Sequence, residues 1–191
     1  MNRAMATLLL VFIAACGLPV DNAAKSVTKV PYELLEPQAS APAEPVVPAE
    51  GPAVRIYLID PSGQQLVAAD RRLAGAEVSL DAVLDALLNG PTRAERAQGL
   101  STALNDAAAV GTAELVGGVA SIDLTSQFVV LDGPTQRLAI AQIVLTLTGR
   151  PGVGRVSFTL DGQPIDIPRG DGTLATGSVS RDNYRELSPG G

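Results

Sequence analysis

The sequence predicts an α+β domain: a mixed sheet of about five or six strands with two main helices packed against it. Three observations carry that expectation. Leu80, Val83, Leu84, Leu87 and Leu88 recur at helical spacing, the pattern of a helix with one buried face. Apolar and polar residues alternate on both sides of Gly117-Gly118, the pattern of a hairpin whose sheet buries one face. The order strand, strand, helix, hairpin, helix, hairpin then leaves the helices to cover a sheet.

The elements follow in chain order. Val54-Arg55-Ile56-Tyr57-Leu58-Ile59-Asp60 is rich in β-formers and closes on Pro61-Ser62-Gly63, a turn signal. Residues 65–71 are expected to return as its partner. Ser79 begins the first helix, Asp81 in its first turn complements the helix dipole, and Asn89-Gly90-Pro91 stops it. Asp81 and Asp85 fall off the apolar face.

In the hairpin of residues 113–124, a two-residue Gly117-Gly118 turn sets Val116 against Val119. Ala113, Leu115, Ala120, Ile122 and Leu124 then share one side; Glu114, Ser121 and Asp123 take the other, with Val116 and Val119 beside the turn. A second helix is expected over residues 134–148, with Pro134 at its start and Gly149-Arg150-Pro151-Gly152 at its end. Its apolar residues, among them Leu138, Ile140, Ile143, Val144 and Leu147, nearly encircle it, which makes it the more buried helix. Residues 153–160 read as a strand, Asp161-Gly162 as a turn and residues 163–167 as a short partner.

The segments before this domain differ in kind. Residues 1–15 read as a secretory leader, with Arg3 as the positive start and an apolar run of about a dozen residues behind it. That run is shorter than the roughly 20 residues a spanning helix needs. It ends Phe12-Ile13-Ala14-Ala15-Cys16-Gly17, and a branched apolar residue, two small residues and a Cys resemble a bacterial lipobox. In such signals a transferase adds diacylglycerol to the Cys thiol and a peptidase cuts before it, here between Ala15 and Cys16. The alternative is an ordinary leader with an incidental Cys, although the one Cys of the chain stands where lipid attachment requires it. Acyl chains on Cys16 would hold the mature protein to membrane lipid on the extracytoplasmic face of the cell membrane, anchored without spanning.

Residues 16–52 then form the lipidated N-terminus and a tether. Pro37, Pro42, Pro45, Pro48 and Pro52 favour extended polyproline II, with a reach of roughly 50 Å over sixteen residues; a featureless linker is the alternative. Val30-Pro31-Tyr32-Glu33-Leu34-Leu35 interrupts the tether, either as an apolar patch that docks on the domain or as a remnant. Residues 53–187 make the domain and 188–191 a flexible tail.

Composition narrows the function. The chain of 191 residues has 14 Lys+Arg against 20 Asp+Glu and a net charge of −6. Its basic residues are scattered, with only Arg71 and Arg72 adjacent, so nucleic acid is not an expected partner. Histidine is absent, which removes the commonest general base and metal ligand. A single Cys allows neither an internal disulfide nor a thiolate metal site. Trp is absent and aromatics make up 3%, which leaves little for stacking sugars or bases. No cofactor, metal site or catalytic residue is expected, and the reading is of a protein that is not an enzyme.

The blocks of residues 53–187 resemble a known family. Val54 through Asp60 is similar to the opening strand of the GerMN domain, named from sporulation and spore-germination proteins. Leu84-Asp85-Ala86-Leu87-Leu88-Asn89-Gly90-Pro91-Thr92 resembles its helix-to-loop signature, and Gln98-Gly99-Leu100-Ser101-Thr102-Ala103-Leu104 the segment after it. Gly118-Val119-Ala120-Ser121-Ile122-Asp123-Leu124-Thr125 forms a third block. The fourth runs from Ala141 through Thr148 and Gly152-Val153 to Phe158-Thr159-Leu160-Asp161-Gly162. The resemblance implies interaction or assembly at the cell envelope, with another envelope protein or a second copy as partner, and it brings no catalytic residues.

Three groups of residues invite a chemical reading, each beside a structural one. Gly90-Pro91-Thr92 is either a binding loop or a helix stop and turn. Asp123 and Asp161-Gly162 are either ligand carboxylates or turn and surface residues. The serines lack a Gly-x-Ser-x-Gly elbow or a Ser-x-x-Lys pair, so none has an activating base. The expected function is therefore a membrane-anchored envelope lipoprotein whose domain mediates protein–protein interaction. A module for cell-wall glycan or a small ligand is the alternative, and a carboxylate-pair hydrolase a third reading that no particular pair supports.

Overall fold

The computed structural model describes residues 51–75, 77–106 and 109–188. The leader, Cys16, the patch of residues 30–35 and nearly all of the tether lie outside the described residues. So do residues 189–191.

The described chain builds a mixed α+β domain. Strand β1 (Ala53–Ile59) pairs antiparallel with β2 (Leu66–Arg72). Their connection is tied by Asp60, whose carboxylate accepts hydrogen bonds from the Ser62 hydroxyl and the Gln64 and Gln65 amides. Helix α1 (Leu80–Leu88) is capped by the Ser79 hydroxyl, which accepts from the Ala82 amide at 3.1 Å. Leu80, Val83, Leu84 and Leu87 on its expected face are buried, and Gly90, at φ +65°, ends it. A short helix α2 (Arg93–Ala97) follows at once.

The hairpin β3 (Val110–Val116) and β4 (Val119–Leu124) pairs in the expected register, Val116 opposite Val119 and Leu115 opposite Ala120. Gly117 and Gly118 both take positive φ, +57° and +81°, as a type I′ turn requires. Strand β3 starts earlier than expected and carries an irregularity between Val110 and Ala113. Leu115, on the core-facing side, stays 40% exposed, because β3 is the sheet edge.

Helix α3 (Ser126–Val129) leads into α4 (Gly133–Leu147), whose N-cap Asp132 accepts from the Thr135 amide at 2.8 Å. All nine residues from Ala139 to Leu147 are buried, so α4 is the buried helix its sequence predicts. Strand β5 (Arg155–Leu160) returns parallel to β4, making sheet order β3-β4-β5-β6 with β6 (Gln163–Pro164). Ala120, Ile122 and Leu124 of β4 and Val156 and Phe158 of β5 are buried. Ser121, Asp123, Ser157 and Thr159 take the other face, where the Ser121 and Ser157 hydroxyls meet at 3.0 Å. One buried and one polar face is the arrangement helix-covered sheets adopt.

Two details differ from the sequence expectation. The strands divide among a four-stranded mixed sheet, the β1-β2 pair and a third pair, β7 (Ile167–Pro168) with β8 (Leu174–Ala175). The expected strand 163–167 is accordingly cut short: only Gln163 and Pro164 pair with β5. Proline has no N–H to extend a ladder, and Ile167 turns instead into the β7-β8 pair. Residues Arg181–Leu187 close the chain as a kinked 3₁₀ segment, where the Tyr184 hydroxyl donates to the Pro168 carbonyl at 2.9 Å.

Two polar side chains join α4 to β1 inside the core. Gln142 is fully buried and donates to the Tyr57 carbonyl at 2.7 Å, while its carbonyl accepts from the Ala103 amide at 2.8 Å. Thr146, one turn later, accepts from the Tyr57 amide at 3.1 Å. The two residues thus stand in for a missing neighbouring strand at Tyr57, satisfying backbone groups that would be costly to bury alone.

Candidate functional site

An open cleft of about 760 Å³ lies where the start of β1 meets the end of α4. Pro52, Ala53, Val54, Val78 and Pro151 contribute apolar lining to its walls. Val83 and Thr146, both buried, form its floor with Tyr57.

Three arginines and one carboxylate stand around these walls: Arg55, Arg150, Arg181 and Asp70. Arg181 is held rigidly. Its guanidinium lies 5.2 Å from the centre of the Tyr57 ring, a cation–π distance. It also donates to the Tyr57 hydroxyl at 2.9 Å and to the Leu145 carbonyl at 2.7 Å. That second bond closes one of the carbonyls left open at the end of α4. Arg150 donates to the Val78 carbonyl, tying the end of α4 to the approach of α1. Arg55 is solvent-exposed and reaches Asp70 across the β1-β2 pair at 3.4 Å, a surface pair that adds little stability.

The Gly90-Pro91-Thr92 loop lies outside this cleft and lines a shallower recess of about 240 Å³ with Asn89, Arg96 and Thr102. Its polar groups are committed to structure. Thr92 caps α2, its hydroxyl accepting from the Glu95 amide while Glu95 accepts from the Thr92 amide at 2.7 Å. Glu95 also receives both guanidinium nitrogens of Arg71, at 2.8 and 2.6 Å, and Arg71 reaches the Gly90 carbonyl. The Arg71 fork, helped by the Thr92 amide, holds the Glu95 carboxyl below the usual glutamate range.

Asp123 is likewise taken up. It accepts from the Thr159 hydroxyl and from the Gly162 amide, which together lower its proton affinity. Asp161 sits at φ +49° in the β5-β6 turn. The carboxyls of Asp60, Asp132 and Asp171 are also lowered, chiefly by the hydroxyls of Ser62, Thr135 and Thr173. A general acid needs the opposite shift. Among the described residues, no three His, Cys, Asp or Glu side chains cluster as metal ligands. None of the described helices is long and apolar enough to cross a membrane.

Residues 55–166 match the protein family described as Germane, sporulation and spore germination. The chain belongs to this family. Lipoprotein LpqB of Cutibacterium acnes is 30% identical over 138 residues, which cover 71% of this chain and 23% of that protein. The chain thus spans under a quarter of that relative's length. The first GerMN domain of the sporulation protein GerM from Bacillus subtilis superposes with a TM-score of 0.51 at 19% identity, covering 69% of this chain and 98% of that one. The tandem GerMN domains of the same protein give a TM-score of 0.52, also at 19% identity, covering 69% and 47%. At that identity the likeness is one of fold.

Arg55 and Arg150 fall inside the Germane match and Arg181 beyond it. The basic residues that read as scattered in sequence are brought together here by β1, the end of α4 and the closing 3₁₀ segment. No local spacing announces the cluster; an arginine directly after a helix-ending glycine, at Gly149-Arg150, is the one nearby signal.

Proposed function

We propose that this chain is a lipid-anchored envelope protein whose Germane domain is a noncatalytic interaction module. The observation that carries the reading is the division of labour among its polar groups. The carboxylates of Asp60, Glu95, Asp123, Asp132 and Asp171 are tied into caps, turns and an ion pair, whereas a preformed cleft with anchored cationic donors stands open. Such a site is suited to hold a partner rather than to transform one. A relative named as a lipoprotein and the lipobox-like run ending at Cys16 support placement at the extracytoplasmic face of the membrane.

Photo-leucine crosslinking in intact cells, followed by mass spectrometry, tests the interaction reading. Residues 51–188 contain no lysine, so amine-directed reagents would miss the domain. A reproducible partner, another envelope protein or a second copy, is expected; repeated absence of any specific crosslink sinks the reading. The cleft volume also lies within the range of small-ligand sites, which favours a glycan or small-ligand module as the second reading. A thermal-shift screen of the full chain against cell-wall fragments separates the two, because a ligand selective for the native state raises Tm.

A further inference from the structure

We infer that the Arg55–Arg150–Arg181 cleft binds an extended acidic peptide segment of an envelope partner, in which carboxylate side chains alternate with aliphatic ones. This rests on the interaction reading above and names the chemistry of the partner.

Charge comes first. Residues 51–188 hold 11 arginines and 15 acidic residues, so the domain is acidic overall. The cleft inverts that balance, with three arginines and a single acid, Asp70. An anionic partner is therefore drawn to this surface and repelled by most of the rest.

The donors are also ready. A guanidinium has five N–H donors in a planar fork matched to carboxylates. Arg181 spends two of them, on Tyr57 and Leu145, and Arg150 one, on Val78. The bonds they make hold both side chains in place, so little rotamer freedom is left to lose on binding. Arg55 is the adaptable member. Its link to Asp70 is long and exposed, and a bound carboxylate can replace it without uncovering a buried charge.

The walls decide between anionic partners. Pro52, Ala53, Val54, Val78 and Pro151 give the cleft an apolar lining between its arginines. A phosphate polymer has nothing to place against that lining. An extended peptide does, since successive side chains point to opposite faces and one face can carry carboxylates while the other carries aliphatic groups.

The test uses the full-length chain, purified in nonionic detergent, and a fluorescein-labelled octapeptide of alternating Glu with Val or Leu, read by fluorescence anisotropy at low salt. Saturable binding is expected. The peptide with Gln in place of Glu should bind at least tenfold more weakly, and added salt should weaken the acidic peptide. Arg55→Glu should cost at least tenfold, and Ala53→Trp, which fills the cleft without touching a charge, should cost a similar factor. Both positions are exposed, and unchanged Tm values confirm that the variants fold.

Equal binding of the acidic and Gln peptides, or wild-type affinity in both variants, overturns the proposal. So does an absence of peptide binding. Binding of polyphosphate alone, lost in Arg55→Glu, would also overturn it and assign the cleft to a phosphate polymer. The crosslinking experiment keeps the two levels apart. Partner capture that survives Arg55→Glu and Ala53→Trp leaves the interaction reading standing and removes the cleft from it; no capture by the wild type removes the reading itself.

Discussion

Among the described residues, Gln142 and Thr146 are the two buried polar ones, and their position one turn apart on α4 joins that helix to β1. Replacing Gln142 by Leu would leave the Tyr57 carbonyl and the Ala103 amide without their partner in the interior. Two orphaned groups predict a loss of about 2–4 kcal/mol, measurable by urea unfolding; a loss below 1 kcal/mol would show that water or a shifted side chain replaces the amide. The same scale carries a pH prediction. Glu95 has its carboxyl lowered by Arg71, and both side chains are largely buried, at 18% and 16% exposed. A lowered carboxyl contributes stability above its unfolded value, near 4.3, and loses it as pH falls through the folded value. Glu95→Gln should therefore cost about 1.5–3 kcal/mol at neutral pH, and the gap from the wild type should shrink below about pH 4. A gap that stays constant from neutral to acid pH contradicts the pairing. Neither role was legible in sequence: Gln142 interrupts an apolar helix without announcing a partner, and Arg71 and Glu95 lie 24 residues apart.

Among the elements, turns chosen by glycine were the easiest to read. Gly117 takes φ +57°, and a Cβ there would meet nothing within 4 Å, so substitution tests chiefly the backbone. Gly117→Val should destabilise by roughly 1–2 kcal/mol, while Gly117→Asn, which tolerates positive φ, should cost much less. Equal losses in thermal or urea unfolding would mean that the turn is not held in this conformation. Helix α1 was legible because its apolar period, its Ser79 cap and its Gly90 stop agree. Helix α2 is not legible although its capping box, Thr92-x-x-Glu95, stands in the sequence, since five residues with no buried apolar side chain give no period to detect. Strand β6 is shorter than its apolar run suggests because Pro164 has no N–H to extend the ladder.

At the scale of the whole molecule, class and order were readable and the grouping of strands was not. Periodicity marks which face of a strand is buried, but three separate sheets arise from how α4 sits among them, and that depends on contacts far apart in sequence. The cleft is hidden for the same reason, with Arg55, Arg150 and Arg181 drawn from three distant segments. By contrast, the proposed anchor rests on a local signal, one Cys after a short apolar run. Residues 53–187 contain no cysteine, so the proposed anchoring is separable from folding.

Detergent-phase partition of cell fractions from the wild type and Cys16→Ala tests the lipid-anchored envelope account most directly. The wild type is predicted in the membrane and detergent phase. The variant is predicted in the soluble extracytoplasmic fraction, with its melting temperature unchanged. Retention of Cys16→Ala in the membrane would contradict the account.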